Sequence, residues 1–570
     1  MRCSALHGRR WQLCRAFVST LPLLLLLSPL LGAAAPALAA RPQARLYAGS
    51  LAELESILRQ LERFDALVEE PQEPAPPSEA PLALPAPPAQ ALPRSAEAVT
   101  VRLRQRLSLR QAVALAVSNS PVVARNLAAV ERQRALLRAA WSRYAPSLSL
   151  SVAGLGGQNQ SYEKALQGNT TLYAPSSPFY VESGSWKSAL FTRVGGLVDL
   201  SETYVVLDPA RSAALARAKA SLQASEQTYA DQLRQLQLQI SETYYAIQLA
   251  QLRRRIREAE LFNQQAVRDQ ARALLASGLV PRVDLLRAEA QLQQSRFKLA
   301  QVEADLLSNE RQLSNLVNVP FDVSLLATEP VRLQSPWPLD LSRTLVAGFQ
   351  DNPQLRAIEA ARAALLRQAD EQAAALLPRL SLFVSAQLGQ TTTAETNRVN
   401  TGCCGAAVIP ETFNSSIGWA AGVRLNWTLM DGGVSRALAD ASRAEARGVA
   451  EQQAEQRNAI RQRLEQAFFS HQASLSQVIA ARASLKAARE AFRDMRARYQ
   501  LGLADYTDVS ATILSLTQAL EDKAMAITMA NLSYARMLRD LLPVPRNPAQ
   551  PVELPVTLPP NLSVGPALPP

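Results

Sequence analysis

The strongest constraint on this 570-residue chain is an internal duplication. Ala276-Ser277-Gly278-Leu279-Val280-Pro281-Arg282-Val283-Asp284 has a counterpart in Gln500-Leu501-Gly502-Leu503-Ala504-Asp505-Tyr506-Thr507-Asp508, 224 positions further on. Asn119-Ser120-Pro121 matches Asp351-Asn352-Pro353, and Pro146-Ser147-Leu148-Ser149-Leu150 matches Pro378-Arg379-Leu380-Ser381-Leu382, both offset by 232. Asp208 with Leu215 matches Asp431 with Leu438. Repeats of over 200 residues mean one architectural unit used twice, so any fold must accommodate two similar halves.

In each half the Gly-Leu pair stands where one helical pattern stops and another starts. Glycine suits the left-handed cap of the first helix, and the aspartate six residues on suits the positive end of the next helix dipole. From Asp208 to Ser277 apolar residues recur as Leu215, Leu222, Tyr229, Leu233, Leu236, Ile240, Tyr244 and Ile247, without glycine or proline after Pro209, so a single long helix is predicted. Asp431 to Leu501 repeats it, and the segments Ser108–Tyr144, Arg282–Asn318, Asp340–Leu376 and Tyr506–Leu542 read as shorter helices that laid end to end match the long ones. The long helices carry narrow apolar seams and glutamines such as Gln232, Gln235, Gln237 and Gln239, which predicts wide polar faces toward water.

Between the helices of each half lie alternating segments. Leu148, Leu150 and Val152 face opposite Ser147, Ser149 and Ser151, and Leu190, Val194, Val198 and Leu200 return. In the second half Leu380, Leu382, Val384, Ala386 and Leu388 lead out, and Ile417, Trp419, Ala421, Val423, Leu425, Trp427 and Leu429 lead back. Long strands, apolar outside and polar inside, are the signature of a transmembrane barrel. Trp419 and Trp427 lie about 26 Å apart along a strand, which suits two membrane-interface girdles. Four strands per chain cannot close a barrel, so several subunits must share one; two would give eight strands and three would give twelve.

The ends of the chain read differently. Residues 1–39 have the basic, apolar and small-residue order of a signal peptide, with Ala37-Leu38-Ala39 before the expected cleavage site. Residues 40–101 hold a short amphipathic helix and a proline-rich linker, and residues 543–570 a proline-rich tail. The two repeats are assigned to 102–332 and 333–542. Export would leave Cys403, Cys404 and His471 as the only cysteines and histidine, so neither a catalytic centre nor a metal site is expected and the chain does not read as an enzyme. His471 is expected on a helix surface. The net charge of +11 is spread among Glu and Gln rather than clustered with aromatics, which argues against nucleic acid as a partner.

The duplicated helix-strand-strand-helix order resembles the TolC family of outer membrane efflux proteins. So do the Asn119-Ser120-Pro121 and Asn352-Pro353 segments, Leu429-Met430-Asp431-Gly432-Gly433 after the last strand, and the two Gly-Leu turns. The resemblance covers about 102–542. It implies a mixed fold in which a long α-helical barrel continues a multi-subunit transmembrane β-barrel. It further implies a homotrimer in the outer membrane, reaching into the periplasm and contacting outer membrane lipid. The partners implied are a periplasmic adaptor and an inner membrane pump, ABC or proton-driven, with no cofactor. The chain would then be the passive exit duct of a tripartite efflux pump or of type I secretion; a general diffusion porin with helical extensions and a structural envelope-spanning protein are the other readings. Gly278, Leu279, Gly502 and Leu503 would contact the adaptor at the tips. Tyr499, Asp505, Asp508 and Asp284 would lie at the periplasmic entrance, with Tyr499 partnered through the position of Gln293.

Overall fold

The computed structural model describes residues 84–90, 92–164, 176, 186–399, 412–501, 503–543 and 554–559. All of them lie in one unit, Pro76–Pro570. The signal peptide, the amphipathic helix, Cys403 and Cys404 lie outside the described residues, as does Gly502.

In chain order the elements are β1 (Leu103–Leu107), α1 (Leu109–Asn119), α2 (Pro121–Ser142), β2 (Ser147–Lys164), β3 (Trp186–Leu207), α3 (Pro209–Ala276), α4 (Arg282–Val317), β4 (Val323–Ala327), α5 (Leu341–Gln350), α6 (Pro353–Ala373), β5 (Arg379–Val399), β6 (Thr412–Asn426), α7 (Val434–Gln500) and α8 (Tyr506–Leu541). Local chemistry explains the boundaries. Ser108 and Gln111 close a capping box on α1, while Asp208, Asp340 and Asn352 each accept a hydrogen bond from a first-turn amide of α3, α5 and α6. Pro121, Pro209 and Pro353 open their helices, where a missing amide proton is no loss. α3 has 68 residues and α7 has 67, rods of about 100 Å each.

The helices form a layer. α3 is flanked on one side by α2 and α4, which succeed one another along it, and on the other by α6 and α8; α7 packs on α6 and α8. The rods therefore stand in the order α2/α4, α3, α6/α8, α7. The four long strands are antiparallel in the order β2-β3-β5-β6, so each strand continues the rod beside it in the same sequence. β2 and β6 are unpaired edges.

The register carries the alternation across the sheet. Leu150, Leu200 and Ala386 share one row, as do Val152, Val198 and Leu388, and all these side chains are exposed. The intervening rows, such as Ser149-Ser201-Ser385-Ala420 and Ser151-Asp199-Gln387-Gly418, are polar or small. Along β3 the residues from Gly195 to Val205 alternate between half-buried on the polar face and exposed on the apolar face. A sheet that shields one face in this way is curved, with its polar face concave.

Several expectations are corrected. Besides the four barrel strands there are two more: β1 and β4 pair in parallel, Leu103 opposite Val323 through Leu107 opposite Ala327. They close repeat 1 upon itself halfway along α3. Here α3 is buried on more than one face. Leu233, Ile240, Tyr244 and Ile247 enter the main core with Leu107 and Leu325, and Gln237, expected on a polar face, is buried too. Trp427 lies one residue past β6, and its Nε1 donates to the Leu376 carbonyl at 3.1 Å. The proline-rich ends contribute to the body: Leu84 and Leu558 pack on the core, Leu554 is buried, Asn119 Nδ2 donates to the Leu84 carbonyl, and Leu558 N–H donates to Tyr534 Oη.

His471 is not on the surface. It is 4% exposed, its Nε2 accepts from Trp337 N–H at 3.3 Å, and its Nδ1 lies 3.1 Å from the Ala530 carbonyl and from Ser533 Oγ. An Nε2 that accepts and an Nδ1–H that donates define the neutral imidazole. Burial lowers the pKa below the usual 6.5, and the native state therefore binds fewer protons than the unfolded chain as pH falls through that value. Stability from this site is complete above about pH 6.5 and is lost progressively below it. His471→Phe should cost about 1–3 kcal/mol at pH 7.5. The gap between its Tm and that of the parent should narrow toward pH 5 in calorimetry of the detergent-solubilised protein.

Candidate functional site

The end of the helical layer away from the strands is built by two helix-turn-helix junctions. At the first, Gly278 adopts φ +74°; its N–H donates to Leu275 and the N–H of Leu279 donates to Leu274. This is a Schellman closure, and only glycine enters the left-handed region there without strain. Leu279 is left 58% exposed. At the second, Leu503 N–H donates to the Arg498 carbonyl, the same closure one repeat later, and Leu503 is 73% exposed. The exposed leucines are thus side effects of caps that turn the chain sharply and aim C″ outward. Leu501, 73% exposed, widens the second apolar apex.

Behind the apex the structure brings together Tyr499 at the end of α7, Tyr506 at the start of α8 and Asp284 at the start of α4. Tyr499 is 4% exposed and its hydroxyl has no hydrogen-bond partner among the described residues. Its pKa is pushed up to about 12, first by burial and then by the negative charge of Asp284. Burial likewise raises the Tyr506 phenol. Asp284 is half-buried, with Arg287 Nη1 at 3.6 Å. Gln293 is exposed, and within the chain its Oε1 accepts from Arg296 at 3.5 Å. Asp284 stands at the same distance after Gly278-Leu279 as Asp508 does after Gly502-Leu503, the correspondence by which the sequence identifies it. Asp505 and Asp508 are exposed, and Asp505 makes no side-chain cap to α8.

A second polar cluster about three to four turns deeper was not foreseen. Arg257 of α3 donates to Glu260 at 2.6 Å and to Glu521 of α8 at 2.7 Å, while Ser295 of α4 donates to Glu260 at 3.2 Å. It ties three helices below the apex with buried, charge-assisted bonds. Only the i, i+3 spacing of Arg257 and Glu260 was visible in the sequence; the partner on α8 needed the fold. Among the described residues no group of His, Cys, Asp or Glu is arranged to hold a metal ion, and no single helix is long and apolar enough to cross a membrane.

Because the negative charge of Asp284 adds to burial in raising the Tyr499 phenol, Asp284→Asn should lower the Tyr499 pKa. Ultraviolet titration of the parent and variant, with Tyr499→Phe to assign the transition, reads this directly; an unmoved transition would separate the two groups.

The comparisons with known proteins agree with this architecture. Residues 348–539 match the family model of the outer membrane efflux proteins. No curated sequence matches the chain. Among solved structures it is similar to the outer-membrane channel OprN, at 18% identity over 83% of this chain and 98% of that one with a TM-score of 0.58. It is also similar to the outer membrane protein VceC of Vibrio cholerae, at 16% identity over 76% and 95% with a TM-score of 0.57. The CmeC outer membrane channel of Campylobacter jejuni gives 14% identity over 76% and 85% with a TM-score of 0.58. Residues 348–539 are thus similar to the outer membrane efflux proteins, and the fold that contains them is the one seen in these outer membrane channels.

Proposed function

We propose that this protein is the outer membrane exit duct of a tripartite efflux pump, a passive conduit from the periplasm to the exterior. One observation carries this reading. A curved sheet with an apolar convex face and two unpaired edges runs directly, strand by strand, into rods of about 100 Å that end in two matching apolar turns. The first end suits lipid and the other suits a protein partner.

The edges define the assembly. In a bilayer every backbone amide must be paired, so β6 of one subunit joins β2 of the next. Because the sheet has an even number of strands, these edges run antiparallel and a ring closes without a parallel joint. The same flanks carry exposed apolar side chains on the helices, including Leu136, Phe297 and Leu307 on one side and Leu438, Phe469 and Ile479 on the other. Three subunits give the twelve-stranded barrel of the resemblance. Trp419 on β6 and Trp427 just beyond it are both exposed on the outer side of this end, which supports their role as interface aromatics.

At the far end Leu279 and Leu503 are the contacts for a periplasmic adaptor, positioned by Gly278 and Gly502. That adaptor links the duct to an inner membrane pump, ABC or proton-driven, and the same coupling would serve type I secretion. Tyr499 with Asp284 holds the entrance, and Asp505 and Asp508 line it. Carboxylates about 8 Å apart across a subunit ring repel by about 2 kcal/mol per pair at an effective dielectric of 20, enough to draw cations into the ring.

Two measurements check this. Leu279→Asp with Leu503→Asp should abolish export and adaptor crosslinking while outer membrane oligomers persist; undiminished crosslinking would exclude the tips as the contact. Asp508→Asn should reduce cation preference and divalent block of the purified channel in planar bilayers, whereas unchanged reversal potentials and block would leave Asp508 as a helix-dipole charge alone.

A further inference from the structure

On the concave face of the sheet the Arg424 guanidinium has no carboxylate partner among the described residues. Arg424 lies on β6 opposite Ser381 of β5, and Ser381 in turn pairs with Val205 of β3. This row belongs to the concave set: Ser381 is 5% exposed, whereas Leu380, Leu382 and Val423 belong to the alternate apolar set. The Arg424 guanidinium sits 4.8 Å from the centroid of the Phe383 ring, on the neighbouring inward row. Phe383 reaches that place because its register partner is Gly422. A Cβ at position 422 would meet the ring at 3.2 and 3.3 Å, closer than ordinary contact. The glycine, the ring and the guanidinium form one arrangement, in which a stacked arginine keeps its in-plane N–H donors free.

No carboxylate competes for those donors. Asp199, the acidic residue on the inward rows around it, lies six residues before Val205 on β3, about 20 Å away along the sheet. Asp208, at the same end of the sheet as Arg424, is engaged by Arg379 Nε at 3.8 Å and caps the N–H of Ala210. Glu202 belongs to the outward row with Leu148 and Val384. The unpaired edge beside β6 is where β2 of the next subunit would join, and the inward positions of β2 at this end are Ser147, Ser149, Ser151 and Ala153, none of them acidic. Assembly therefore supplies hydroxyls and no counter-charge.

We propose that Arg424, seated on Phe383 and cleared by Gly422, is a lumenal recognition site for carboxylate-bearing organic anions at the periplasmic end of the β-barrel, repeated once per subunit. The planar donors of a guanidinium match a carboxylate through two parallel hydrogen bonds, which a lysine ammonium at the same place does not reproduce. The site would make the duct discriminate among solutes after they have passed the acidic entrance. Anions slowed at the entrance would be favoured here, so the two rings act on opposite signs of charge in series.

The inference rests on the duct reading, and the test separates the two. The full chain is reconstituted in planar bilayers and sodium benzoate is added from the periplasmic side. Parent channels should show concentration-dependent interruption of the current. Arg424→Gln should need about tenfold more benzoate for the same block, the factor that 1.4 kcal/mol sets. Arg424→Lys keeps the charge and loses the fork, and its block should fall between the two. Benzoate block that is absent in the parent, or equal in all three channels, overturns the recognition site while leaving the duct intact. A parent that forms no conducting pores overturns the duct and this site with it.

Discussion

The architecture depends on one unmet requirement: the backbone hydrogen bonds along the free edges of β2 and β6. Neither edge has a partner among the described residues, and the convex face between them is apolar from Leu148 to Trp419. Unpaired amides beside hydrocarbon cost several kcal/mol each, so the sheet is stable in a membrane only as part of a closed ring. The helical layer repeats the problem in a different chemistry. Its rods follow the same order as the strands and its two flanks present unpartnered apolar side chains to water. Because each strand continues into its own rod, one ring closure of the proposed kind would satisfy both layers.

What holds a single subunit together before assembly is the belt halfway along the rods. β1 and β4 bring both ends of repeat 1 to α3, where Tyr244 Oη donates to the Leu107 carbonyl and accepts from Glu329 N–H. The segment between the repeats then crosses the helices: Gln248 of α3 donates to the Glu329 carbonyl, Asn531 of α8 donates to Arg332 and accepts from Gln334, and His471 of α7 accepts from Trp337. An irregular strand has no ladder of its own, so its polar backbone is satisfied by side chains from three helices. This explains why Gln248, Asn531 and His471 are buried in a chain whose helices are otherwise wet on one side.

Much of this was legible in the sequence. The lengths of the rods, the Gly278-Leu279 turn and the four alternating strands follow from local rules, and the structure has each of them. The belt did not, because its signals are short. Leu103–Leu107 and Val323–Ala327 are five residues each, too brief to outweigh the long helices around them, and pairing in parallel links residues over 200 positions apart. His471 was misplaced because its seam on α7 looks like any polar face until Trp337 lies across it. Tyr499 and Asp284 were both named for the entrance, but that they are neighbours needed the fold, because they lie on helices over 200 residues apart in sequence. Trp427 reads as strand by alternation, yet β6 ends at Asn426 and Asp431 starts the capped turn whose carboxylate accepts from Gly433 and Ser435.

The duplication also shows where two equal halves had to diverge. Each half has a joint where one short helix ends and the next begins along the same long rod, leaving C-terminal carbonyls to be satisfied. In repeat 1 the joint lies on the flank of the layer and neutral amides suffice. Asn318, in the left-handed region at the end of α4, donates to the Asn119 carbonyl, and both are half-buried. In repeat 2 the joint of α8 and α6 lies between α3 and α7, with a long rod on either side. There Arg234 of α3 donates to the Asp540 carbonyl, Arg463 of α7 and Arg539 both bind the Asp540 carboxylate, and Gln354 of α6 joins Asp231. Burial lowers the Arg234 pKa to about 10, still far enough above neutral for the guanidinium to stay charged. A buried cation of this kind is tolerated only because the carboxylates of Asp231 and Asp540 surround it. Position in the layer, rather than ancestry, thus decides whether a joint is capped by amides or by ions.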